Sequence, residues 1–180
     1  MIYRSGERGS DLFSIRSGMV KLVQDSGWRG QRILRLVGRG AAIGLEVLNG
    51  EAFATTAIAI RESNLCRIPH TVLQDLGQHN PRLSAGLVAK WREHVVNADA
   101  LVASAHGGNL EQRAKDLLRV YVNMSGDPHD AVRLLKNDDM ANVLGVSAES
   151  VSRCVARLKR AGVIRRVGPW TYDCSRILAG

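Results

Sequence analysis

Glu149, Ser150, Ser152, Arg153 and Arg157 recur at the three- and four-residue spacing that gathers side chains on one face of a helix. The chemistry open to that set is hydrogen bonding and charge, not bond making. Arginine offers two parallel donors that match guanine O6 and N7, glutamate accepts from cytosine N4, and a serine hydroxyl adapts to either partner. Cations further along the chain suit phosphate oxygens. Six basic side chains lie between Glu149 and Arg166 (Arg153, Arg157, Lys159, Arg160, Arg165, Arg166), with Glu149 as the one acid. Catalytic sets are missing by comparison. The three cysteines, Cys66, Cys154 and Cys174, form no Cys-x-x-Cys pair and no Cys/His cluster. A zinc site or a disulfide framework is therefore not expected. No histidine occurs before His70, which removes the His-x-His pair that a metal-dependent β-barrel oxygenase needs. The expectation is a binding protein and not an enzyme.

The reading face needs elements to position it, and "KNDDMANVLGVSAESVSRCVARLKRAGVIRRVGPWTYDC" supplies them in order. Asn137 can cap a first helix, with Asp138 and Asp139 at its positive end. Met140, Ala141, Val143 and Leu144 form its buried face. Gly145 breaks that helix and Val146 plugs the turn. Ser147 caps the next helix, whose core stripe is Val151, Val155 and Leu158. Gly162 closes it, and "VIRRV", Gly168-Pro169 and "TYDC" read as a two-stranded wing. This punctuation predicts a winged helix-turn-helix. The candidate DNA-contacting residues are Glu149, Ser152, Arg153, Ser150, Ser147, Ala148, Arg157 and Lys136.

Upstream, residues 1 to about 70 read as short strands divided by glycine turns, the pattern of a β-sandwich or roll. "LFSIRSG" has period two and stops at Gly18, "MVKLVQD" breaks at Ser26-Gly27, and "QRILRLVGRG" ends in glycines. Pro69-His70 opens a short helix, and Asn80-Pro81 a longer one. Along the latter, Leu87, Trp91, His94, Ala98, Leu101 and Ala105 follow a 4-3-4-3-4 spacing, predicting a parallel dimer seam. "HGGN" (106–109) is the natural hinge, and a further helix runs from Leu110 to about "SGDP". The expected domains are a β-roll over 1–79, a dimerisation helix and hinge over 80–106, and a winged helix-turn-helix over 107–180, an α+β chain.

The chain has 180 residues and a net charge of +8, divided evenly at +4 on either side of His106. That excess suits a polyanionic partner. No apolar run is long enough to cross a bilayer, and "MIYRSGERGSD" lacks the apolar stretch of a signal peptide. A cytoplasmic protein with no membrane partner is expected.

"LGVSAESVSRCVARLKRAGVI" closely resembles the recognition region of the Crp/Fnr family of bacterial transcription regulators. "YRSGERGSDLFSIRSGMVKLV" looks like that family's cyclic-nucleotide-binding-like β-roll (a jelly roll), "GRGAAIGLEVL" its glycine-rich loop, and residues 80–105 its dimer helix. The resemblance implies a homodimer on double-stranded DNA, at a palindromic operator with half-sites about one helical turn apart. It also implies RNA polymerase as a partner. Glu149, Ser152 and Arg153 match the family pattern Glu-x-x-Ser-Arg of the fumarate–nitrate branch. The cyclic-AMP branch has glycine in place of Ser152 and arginine in place of Ala148. The implied half-site is TTGA-like, with Glu149 and Arg153 on its C·G pair.

A cyclic-nucleotide site in the family uses a Gly-Glu pair after the glycine loop and an Arg-Ser or Arg-Thr pair on the next strand. Here the sequence reads Gly44-Leu45-Glu46 and Phe53-Ala54-Thr55-Thr56. Without that guanidinium an intact cyclic-AMP site is not expected. An iron–sulfur cluster lacks its cysteines, and His70, His79 and His94 read as ordinary histidines, so no cofactor is expected. Alternatives are a regulator responsive to haem, a gas or redox state, for which Cys154 on the recognition helix is the candidate thiol, and an interaction module without DNA readout. The chain also starts inside the family's roll, either naturally abbreviated or truncated.

Overall fold

The apolar runs of the N-terminal part become strands. They are β1 (Asp11–Ser17), β2 (Val20–Asp25), β3 (Gln31–Val37), β4 (Ala42–Ile43), β5 (Thr56–Ala59) and β6 (Asn64–Pro69). They pair antiparallel into two three-stranded sheets, ordered β4-β1-β6 and β3-β2-β5. The computed structural model describes residues 1–25, 31–125 and 131–178. The Ser26-Gly27 turn, the "SGDP" helix end beyond Ser125 and the Leu87 side chain lie outside the described residues. Two compact units are present, Met1–Ala98 and Asp99–Gly180, so the division falls inside the long helix and not at its ends.

Both sheets of the first unit feed one core. Leu12, Ile15, Val20, Leu22, Val37, Ile43 and Ala57 cluster there with Tyr3, Val47 and Phe53. Burying each large aliphatic side chain contributes about 1.5–3 kcal/mol. β1 departs from strict alternation, since Leu12 and Ile15 are both 1% exposed. In its sheet this strand lies between β4 and β6, and the short 3₁₀ helix Leu45–Asn49 also packs against it. The turn from β1 to β2 needs glycine: Gly18 has φ 98, and a Cβ there would lie 2.2 Å from Ser63 Oγ.

Helix α1 (His70–His79) and helix α2 (Pro81–His106) follow as expected. The expected seam on α2 is split by the structure. His94 is 5% exposed and accepts a hydrogen bond at Nε2 from the Ala42 amide (3.4 Å), and Leu101 is 3% exposed. Both are used inside their own units. The exposed apolar positions include Val88 (66%), Trp91 (61%), Val95 (49%) and Val102 (58%). With half-buried Ala98 and Ala105 these four form a 3-4-3-4-3 stripe, in which Val88, Val95 and Val102 replace Leu87, His94 and Leu101.

The second unit contains helices α3 (Leu110–Ser125), α4 (Asn137–Leu144), α5 (Ala148–Arg160) and α6 (Ser175–Leu178), and strands β7 (Ala131–Val132), β8 (Arg165–Arg166) and β9 (Tyr172–Asp173). Its core holds Leu117, Leu118, Tyr121, Met140, Leu144, Val151, Leu158 and Ile164, each at most 1% exposed. The two wing strands are joined by β7, in the strand-like stretch "AVRLLK", as a three-stranded antiparallel sheet, β7-β9-β8. Among the described residues no helix is long and apolar enough to cross a membrane.

Candidate nucleic-acid interface

The reading face is built from the first turn of α5. Ser147 is the N-cap, with extended backbone, and its Oγ accepts from the Ser150 amide at 3.2 Å. Its hydroxyl also donates to Ser150 Oγ at 2.9 Å. Such a cap is worth about 1 kcal/mol and fixes where the helix begins. Val151, Cys154, Val155 and Leu158 bury the opposite face. Glu149 lies in the first turn and Arg157, Lys159 and Arg160 in the last, the arrangement the helix dipole favours.

The preceding turn is equally determined. Gly145 ends α4 with φ 65, a left-handed conformation that strains other residues. Arg113 of α3 donates to the Leu144 carbonyl, tying off one of the free acceptors at that helix end. The start of α4 differs by one residue from the sequence reading. Lys136, not Asn137, holds the N-cap position, and no side chain caps it. At the hinge, Gly108 has φ 67 and Asn109 Oδ1 accepts from the Gln112 amide at 3.0 Å to start α3.

All the expected contact residues lie on or next to this framework, and all but Ser147 line one of two hollows. Glu149, Ser152 and Arg153 are exposed, as are Arg157, Ser147 and Lys136; Ser150 and Ala148 are half-buried. Lys136, Ala148, Glu149 and Ser152 line one hollow, joined by Lys159 and Tyr172. Ser150, Arg153 and Arg157 line a second, with Arg160. Arg153 Nη1 donates to Glu149 Oε1 at 2.7 Å, and its Nη2 reaches to 3.5 Å of Ser150 Oγ. The two side chains expected to read bases are thus held together.

Tyr172 is the residue lining this face that the sequence reading passed over. Lys159 Nζ donates to its hydroxyl at 3.1 Å and sits 4.2 Å from the ring centroid. Only the pairing of β9 beside α5 brings the two together; helical spacing gives no sign of it. Asp173, next on β9, accepts from the Ser175 amide (2.9 Å) and from Arg165 (2.5 Å). The hydrogen bonds from Ser175, and then Arg165, lower its carboxyl to about 2. Cys154 is fully buried, and burial pushes its thiol up, which fits an inert packing role better than a redox one.

The first unit carries a cavity of about 390 Å³, whose lining includes Tyr3, Arg35, Glu46, Glu51, Trp91 and His94. Two carboxylates and one guanidinium face it. Burial first, and then Arg35, lowers the His94 imidazole below its ordinary value, so it adds little positive charge near neutral pH. A phosphate would enter a lining without a cationic excess. Thr55 and Thr56 are buried, and Thr56 Oγ1 accepts from the Ser5 amide at 3.0 Å. Among the described residues no group of three or more metal-ligating side chains occurs.

A β-roll followed by a long helix and a winged helix-turn-helix defines a class of DNA-binding regulator. The family model for "Cyclic nucleotide-binding domain" matches residues 1–80, and that for "Crp-like helix-turn-helix domain" matches residues 112–172. The chain is 23% identical over 173 residues to electron transport regulator A of Shewanella oneidensis, an alignment covering 94% of this chain and 69% of that protein. It is 22% identical over 183 residues to the fumarate and nitrate reduction regulatory protein of Salmonella typhi, covering 99% and 73%. Among solved structures, a CRP-family transcriptional regulator from Thermus thermophilus superposes with a TM-score of 0.79 at 22% identity, over 99% of this chain and 93% of that one. The chain belongs to the Crp/Fnr family of transcription regulators.

Proposed function

We propose that this regulator is a homodimer that reads a palindromic, TTGA-like operator and needs no cyclic nucleotide to do so. The exposed Glu149–Arg153 pair, held at 2.7 Å on a capped helix, carries the reading. It offers guanidinium donors and a carboxylate acceptor side by side, the two functions that one C·G pair can satisfy. The apolar stripe of Val88, Trp91, Val95, Ala98, Val102 and Ala105 supports pairing with a second copy through a parallel seam. Two-fold symmetry of the protein then calls for a palindromic site. Ser147, Arg157 and Lys136 serve as phosphate contacts, with Ser150 and Ala148 beside the bases.

Two carboxylates against one guanidinium in the β-roll cavity argue against a cyclic phosphate as effector. The same cavity favours a second reading, in which an effector without a phosphate tunes DNA binding. The protein acts in the cytoplasm, by binding and not by catalysis, with RNA polymerase as its partner at promoters. Selection of bound duplexes from a random pool by the purified chain, with and without cyclic AMP, tests these statements. A palindrome with TTGA-like halves, recovered equally under both conditions, is the expected result. Recovery of no preferred sequence, or of one only with the nucleotide, would overturn the reading.

A further inference from the structure

The cavity of the β-roll holds charges that the fold itself leaves unused. It lies wholly within the first unit, since its helical lining comes from Val88, Trp91 and His94. Arg35 and Glu46 both line it. Arg35 is half-buried on β3, opposite Leu22 of β2, another lining residue. Among the described residues its guanidinium makes no hydrogen bond and no ion pair within 4.0 Å. Glu46 is half-buried in the 3₁₀ helix Leu45–Asn49, which Gly44 introduces with φ 77. Its Oε1 accepts from the Ala54 amide at 3.3 Å, and its Oε2 has no partner among the described residues. Two opposite charges thus share one cavity without pairing with each other. A half-buried charge without a partner carries a desolvation cost that a complementary ligand offsets.

The groups around these two charges define what fits between them. Tyr3 is 5% exposed, its ring stacked on Phe53 with centroids 3.9 Å apart. Burial first, and then Glu46, raises its phenol, and Arg35 is among the groups that oppose the shift. The hydroxyl therefore stays protonated and lies in the field of both charges. Leu22, Ile43, Leu45, Leu48 and Val88 make much of the remaining wall apolar. Trp91 adds an aromatic surface of the kind that attracts an ammonium. Glu51 is exposed, so water screens its charge, and what remains of it also favours an ammonium. The volume, about 390 Å³, is near the lower end of the roughly 300–1,000 Å³ of small-molecule sites. A compact molecule with one carboxylate, one ammonium and an apolar side chain answers each part of this lining.

We propose that the β-roll cavity binds a free amino acid with an apolar side chain, its carboxylate on Arg35 and its ammonium on Glu46 beside Trp91. The guanidinium then gives two parallel N–H bonds to the carboxylate. This deepens the reading of the cavity as the site of an effector without a phosphate, and it rests on that reading. Calorimetric titration of the dialysed full chain with L-leucine, L-methionine and L-phenylalanine tests it. The controls are isocaproate, which is leucine without the ammonium, and isoamylamine, which is leucine without the carboxylate. Leucine binds, and each control binds roughly 10- to 100-fold more weakly, the range for losing one hydrogen-bonded charge. Arg35→Gln weakens leucine by a similar factor and leaves isoamylamine unchanged. Glu46→Gln weakens leucine as well and leaves isocaproate unchanged. Melting curves accompany both variants, and the control series on the wild-type chain decides the matter even where a variant unfolds. Isoamylamine binding as tightly as leucine would overturn the proposal in favour of a simple organic cation. No heat from any of the three amino acids refutes it outright. Leucine binding that leaves operator affinity unchanged keeps the ligand and removes its role as effector. Displacement of leucine by cyclic AMP would defeat the phosphate-free reading of the cavity itself.

Discussion

Replacing Arg153 with alanine separates what this side chain does for folding from what it does for recognition. The guanidinium is 66% exposed and its partner Glu149 is 77% exposed. An exposed i,i+4 pair on a helix contributes about 0.3–0.5 kcal/mol. The melting temperature should therefore fall by only about 1–4 °C. Loss of a bidentate base contact costs about 1–3 kcal/mol at each half-site, roughly 5- to 150-fold. Two symmetry-related sites more than 10 Å apart add approximately, giving about 2–6 kcal/mol for the dimer. Fluorescence anisotropy with the selected operator and with random duplex, across a salt series, distinguishes the possible outcomes. A base-reading arginine lowers operator affinity, leaves random-duplex affinity nearly intact and keeps the salt slope. A phosphate-binding arginine lowers both affinities together and reduces the slope by about 1 per contact. Equal losses on the two duplexes, with that reduced slope, would refute base reading by Arg153.

Three further predictions come from burial and charge. Val95→Glu and Val102→Glu place carboxylates on the exposed stripe of α2 and should shift sedimentation equilibrium toward monomer. Leu101→Ala, at a buried position, should instead destabilise the second unit by about 2–5 kcal/mol in urea melts. Leu158→Ala removes a side chain that is 0% exposed beneath the reading helix; it should cost a similar 2–5 kcal/mol and weaken binding to every duplex alike. His94 is lowered by burial and then by Arg35, with Glu93 opposing and Lys90 adding to the effect. The unfolded chain therefore takes up the proton first as pH drops below the ordinary value of 6.5. Stability is full above that pH and declines below it. His94→Gln should flatten this part of the melting-temperature profile between pH 7.5 and 5.5, and an unchanged slope would dismiss the histidine.

Local punctuation made the helix-turn-helix legible before any coordinates. Gly145, Ser147 and the Val151–Leu158 stripe each have a conformation or face that follows from side-chain chemistry, and this leaves Glu149, Ser152, Arg153 and Arg157 exposed. Tyr172 was not legible, since β8 and β9 have two residues each, too few to show a period, and its neighbour Lys159 is set by strand pairing. The seam expected on α2 shows a different limit. Adjacent stripes of that helix are both apolar, so heptad arithmetic finds a stripe but not its phase. The Ala42 amide, which donates to His94, takes that histidine off the exposed stripe. Lys136 at the start of α4 is the mildest case, a one-residue shift where Asn137 had the better capping side chain.

The closed Glu149–Arg153 pair has a consequence for how the protein searches a chromosome. While the guanidinium is satisfied by its own helix, an arbitrary sequence gains little from it, because taking the arginine would strand the carboxylate against base-edge acceptors. Only a base pair that answers donor and acceptor at once gives up nothing in the exchange. On the proposed function, discrimination comes as much from a withheld reward at wrong sites as from attraction at the right one, and the proposed dimer leaves most of the DNA it samples as readily as it arrived.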